Sequence, residues 1–150
     1  MNSHRASPAK ADTNSMARDL LVAKLARQKG IHDLSYLALK TVSATRLLAV
    51  CARTGRDPLL DLTQRFACIT TAKAFIAFAD LCGAYWPESV QVLRPCCRSV
   101  SPDEWTLAQL VDHAAHADRD GFGAVLAGFV RQDRHEPLFD RTVELAAHMQ

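Results

Sequence analysis

The chain has 150 residues, of which 49% are hydrophobic and 23% charged, with 6 glycines and 6 prolines. That composition suits one globular domain able to bury its own core, and it excludes a disordered or fibrous chain. A formal net charge of +2 excludes the strong basic excess of a dedicated nucleic-acid binder. There is no uncharged apolar run long enough to span a membrane.

Residues 1–14 are polar, small and aperiodic, so a disordered tail is expected there, without the apolar stretch of a signal peptide. A globular domain is expected over residues 15–150. Ala17, Leu20, Leu21 and Leu25 fall at helical spacing and predict a first helix over residues 16–29, ended by Gly30. Asp33 or Ser35 caps a second helix reaching about Arg53. Thr54-Gly55-Arg56-Asp57-Pro58 is the clearest break in the chain: Gly55 closes one helix, Asp57 caps the next and Pro58 fits its first turn. A long, nearly all-round apolar helix is then expected from Pro58 to about Tyr85, with a kink or break at Thr70-Thr71.

Gly83 and Trp86-Pro87 end that run. Residues 88–93 are expected as a short helix, and residues 94–101 as a loop. Ser101-Pro102-Asp103-Glu104 is a capping box with proline in the first turn, so a helix should follow to about Ala117. A pause is expected at residues 118–121, a resumption over residues 122–131, and a last helix from Glu136-Pro137. No period-two alternation occurs. The expected fold is therefore all-α: one bundle of about six helices with orthogonal or irregular packing.

Residues 112–120, DHAAHADRD, hold the densest polar cluster. At about 100° per residue, Leu107, Leu110, Val111, Ala114 and Ala117 share one side of the helix, and the histidines lie on the other. The simpler reading is a solvated face. The chemical alternative is a metal site in which His113, His116 and Asp120 supply ligands from one side of a helix, with His135, His148 or Glu136 completing the set.

The five cysteines, Cys51, Cys68, Cys82, Cys96 and Cys97, are odd in number. The first three fall in apolar helical runs. Together with the missing signal peptide, this points to reduced thiols in a cytoplasm. Cys96 and Cys97 stand between Arg94 and Arg98, whose positive charge favours thiolate, and they are the candidate reactive thiols.

Residues 33–56 resemble bacterial repressor helix-turn-helix domains in their spacing. A helix carrying Leu34, Leu37 and Ala38 would be followed by a turn at Thr41-Val42-Ser43 and a second helix over residues 44–53. The resemblance implies duplex DNA as partner, met by Thr45, Arg46 and Arg53. The usual turn glycine is absent, and one continuous helix accounts for the same residues more simply.

No phosphate loop, nucleophile elbow or paired-carboxylate motif is present, so no catalytic residue is assigned and no cofactor is expected. Alanine-rich helices with little polar face favour close helix approach, and a homodimer or another protein partner is expected. The leading expectation is a small cytoplasmic interaction or regulatory protein, not an enzyme, that acts through helix surfaces. DNA binding and a metal site are the alternatives.

Overall fold

A computed structural model describes residues 28–150 together with Met16, Arg18 and Val22. The expected tail lies outside the described residues, as does most of the expected first helix; of its described positions Met16, Arg18 and Val22 are helical, whereas Gln28 and Lys29, expected to end it, are not. Six α-helices follow: α1 (Tyr36–Thr54), α2 (Pro58–Phe66), α3 (Ile69–Tyr85), α4 (Pro102–Ala115), α5 (Arg119–Leu126) and α6 (His135–Met149). Single 3-10 turns precede α1 (Ile31–Asp33) and α6 (Gln132–Arg134). Among the described residues there is no strand, only an isolated antiparallel bridge between Gly30 and Ser99. The all-α bundle is the fold.

The helix starts follow the capping chemistry of the sequence. The Ser35 hydroxyl accepts from the Ala38 amide at 3.1 Å and begins α1. Asp57 accepts from the Leu59 amide at 2.9 Å, with Pro58 in the first turn of α2. In the capping box of α4, Ser101 Oγ accepts from the Glu104 amide at 3.0 Å and Glu104 Oε2 accepts from the Ser101 amide at 2.9 Å. Gly55 ends α1 at φ 66°, a conformation glycine adopts without steric cost.

Four features differ from expectation. The resumption expected over residues 122–131 is instead α5, Arg119–Leu126, which begins within the expected pause. The long apolar helix is two helices, broken at Ala67-Cys68 rather than at Thr70-Thr71, with Ala67 at φ 54°. The helix expected to reach Ala117 stops at Ala115, with Ala117 at φ 53°. Each break uses an alanine in the left-handed region, where glycine or asparagine is the usual signal. The short helix expected at residues 88–93 does not form: residues 86–101 run as an irregular strap.

α1 packs on α2 and α4, α3 on α2 and α6, and α4 on α5 and α6. Phe75, Phe78, Phe122, Leu62, Leu110, Leu126, Leu138 and Leu145 fill the shared interior. Phe122 meets Phe139 edge-on at 5.1 Å, and Trp86 meets Phe129 likewise at 5.2 Å. A smaller cluster of Ala38, Val42 and Ala108 zips α1 to α4.

Candidate functional site

Between α1 and α4 the sequence places an arginine and a glutamate, and the fold buries both. Arg46 is 4% exposed and Glu104 fully buried. The guanidinium donates from Nε to Glu104 Oε1 at 2.8 Å and from Nη2 to Oε2 at 2.9 Å, a two-pronged charge-assisted pair. Neither group stops there. Arg46 also donates to the carbonyls of Cys97 and Ser99, each at 2.7 Å. Glu104 accepts from the amides of Leu93 at 3.1 Å and Ser101 at 2.9 Å. One ion pair thus pins the strap at four backbone groups. Burial alone drives the Glu104 carboxyl up. The Arg46 hydrogen bonds, the Ser101 and Leu93 amides and the Arg46 charge outweigh it and hold the carboxyl below its ordinary range. The bond to Glu104 raises Arg46 against the opposing effect of burial.

This arrangement corrects the helix-turn-helix alternative. α1 runs unbroken from Tyr36 to Thr54, so the turn at Thr41-Val42-Ser43 does not exist. The hydroxyls of Thr41 and Thr45 donate back to the carbonyls four residues earlier, which keeps those positions helical. Thr45 and Arg46 are buried, and only Arg53 of the three proposed DNA contacts is exposed.

The strap also walls an apolar cleft of about 340 Å³. Leu48, Ala49 and Ala52 of α1, Ala79 and Gly83 of α3, and Val90 and Val92 of the strap line it, with no charged group among its lining residues. A Cβ built on Gly83 meets nothing within 4 Å. Small side chains therefore leave the space, and the irregular backbone of the strap forms one of its walls.

The histidines are placed differently from a ligand set. His113, in the last turn of α4, donates from Nδ1 to Asp118 Oδ2 at 2.8 Å, since a carboxylate only accepts. Asp118 in turn caps α5 by accepting from the Gly121 amide at 2.9 Å. That amide bond first, then His113, holds the Asp118 carboxyl below its ordinary value. His116 donates from Nδ1 to the Asp112 carbonyl at 2.7 Å. Asp120 stands exposed in the first turn of α5, so it is Asp118 that meets His113. Of the residues expected to complete the set, His135 donates to the Val130 carbonyl at 3.0 Å and Glu136 pairs with Arg119. His148 lies near the far end of α6, where its carbonyl accepts from Thr71. Among the described residues no three His, Cys, Asp or Glu side chains are grouped to hold a metal ion. The polar cluster joins α4 to α5.

All five cysteines are free. Cys51 and Cys82 are buried, and burial pushes both thiols up, Cys82 most. Cys96 is exposed and Cys97 half-buried, on a turn closed by the Cys97 amide donating to the Arg94 carbonyl at 3.0 Å. Cys68 does not lie inside an apolar helix as its neighbours suggested. It is the exposed N-cap of α3. The Thr71 hydroxyl, shared with the His148 carbonyl, and the amides of Thr71 and Thr70 favour its thiolate and bring the pKa down to about 7.

Sequence reasoning missed the Arg46–Glu104 pair, the cleft and the setting of Cys68. The signal for the last was Cys68 two residues before the Thr70-Thr71 pair, a small polarisable residue in a capping position. Among the described residues no helix is long and apolar enough to cross a membrane. No family model matches the chain, and neither a curated protein nor a solved structure shows significant similarity to it.

Proposed function

We propose that the chain is a non-enzymatic regulatory protein that works by helix-surface association, and that its first partner is a second copy of itself. The observation that carries this reading is the cleft between α1, α3 and the strap: apolar, uncharged and open. Apolar surface of that kind gains free energy when covered, at roughly 25 cal/mol per Å². α2, packed on both α1 and α3, carries Leu60 with 67% of its surface exposed. In a two-fold dimer each Leu60 enters the partner's cleft and the exchange is reciprocal, as an isologous interface requires. Five free thiols support a reducing compartment, the cytoplasm, as the place of action.

Sedimentation velocity tests the reading. The wild-type chain is expected to sediment at twice the chain mass at micromolar concentration. Gly83→Leu, which fills the cleft, and Leu60→Asp, which removes its occupant, are each expected to sediment as monomers with unchanged circular dichroism. A monomeric wild type, or a dimer that persists in either variant, overturns it.

A further inference from the structure

Cys96 and Cys97 are the one pair of adjacent cysteines in the chain. Their Cα atoms are about 3.8 Å apart, as consecutive residues must be. Pro95 fixes the backbone before them, and the Cys97 amide closes the turn on Arg94. Cys96 is exposed, Cys97 is half-buried, and neither is in a disulfide. Two thiols held at such an effective concentration bind a divalent acceptor far better than either does alone.

We propose that Cys96 and Cys97 form a chelating dithiol site for a trivalent, thiophilic centre such as arsenic(III), and that its occupation is transmitted to the Arg46–Glu104 pair. With an organoarsenic oxide the step balances without an oxidant. Each sulfur forms a bond to arsenic, the two S–H bonds and the arsenic–oxygen bond break, and the two protons leave with the oxygen as water. Arsenic stays trivalent throughout. Ring closure takes the Cys96–Cys97 peptide into the chelate ring and constrains the torsions at Cys97, and with them the peptide that follows Cys97. That peptide's carbonyl is the one Arg46 holds at 2.7 Å. Moving it strips a partner from a buried guanidinium, which also holds the Ser99 carbonyl and Glu104.

Phenylarsine oxide is the probe, on the full chain. The expected result is one adduct per chain that survives excess mercaptoethanol and is removed by dimercaptopropanol. Cys96→Ser and Cys97→Ser should each weaken capture by about 100-fold or more, leaving only monothiol-labile binding. Cys68→Ser should leave the chelate unchanged. Amide exchange of the adduct should show lost protection at Leu93 and Ser101, whose amides bond to Glu104. Equal capture by the single-serine variants overturns the site, and unchanged protection in a confirmed adduct overturns the transmission.

Discussion

Arg46 and Glu104 meet across 58 residues of sequence through two hydrogen bonds of 2.8 and 2.9 Å. Both side chains are withdrawn from water, 5% and 0% exposed. A buried pair need not stabilise relative to apolar residues of the same shape, yet breaking one from a single side is costly. Here the cost is larger in kind, because four strap backbone groups depend on the pair. Arg46→Met should lose about 3–5 kcal/mol in urea denaturation. The double variant Arg46→Met, Glu104→Leu should recover part of that loss but not all, since the Leu93 and Ser101 amides and the Cys97 and Ser99 carbonyls remain without these partners. Equal stability of wild type and Arg46→Met contradicts the pinning role.

The same pair sets an acid limit. A glutamate in the unfolded chain titrates near about 4.3, and Glu104 in the folded chain titrates lower. Its contribution is therefore fully present above the unfolded value and is lost as pH falls through the folded one. Stability of the wild type, followed by urea titration from neutrality downward, should fall more steeply below about pH 4.5 than that of Glu104→Gln. Parallel curves would remove Glu104 from the acid response.

Two helical glycines should respond to alanine with opposite signs. Gly83 has open space above it, so Gly83→Ala should raise stability by about 0.5–1 kcal/mol through the ordinary helix preference. At Gly121 a Cβ collides with the Asp118 carboxylate and the His113 ring. Gly121→Ala should displace the cap of α5 and lower stability by about 1 kcal/mol despite the better helix former. Thermal melts of the two variants check both signs at once.

Much of the bundle was legible from local chemistry. Ser35, Gly55, Asp57-Pro58 and the Ser101–Glu104 capping box mark helix ends because each satisfies a backbone group within a few residues. The breaks at Ala67 and Ala117 were not legible, because an exposed alanine takes the left-handed position where the local signal would be glycine. The Arg46–Glu104 pair was hidden for another reason. Each residue had a sufficient local explanation, Arg46 as a basic residue on a helix and Glu104 as the partner of Ser101, and only the approach of α1 to α4 brings them together. The outward placement of His113 and His116 followed from the apolar stripe of α4, whereas the bond from His113 to Asp118 required the chain to turn back at Ala117.

Cys68 should be the first thiol to react with iodoacetamide. Its pKa of about 7 places half-maximal alkylation near neutrality, while Cys51 and Cys82 are buried and raised. Peptide mapping after brief alkylation across a pH series gives the order and the midpoint. Thr71→Val, which removes the hydroxyl facing the sulfur, should move that midpoint upward.

The central claim is that one buried ion pair holds the strap that walls the cleft, and native-state hydrogen exchange at the Leu93 and Ser101 amides reads it most directly. In the wild type both amides should exchange only through global unfolding, and in Arg46→Met both should exchange by local opening at least about tenfold faster than the α3 core amides. Protection at Leu93 and Ser101 that stays equal to that of the core in Arg46→Met would contradict the account.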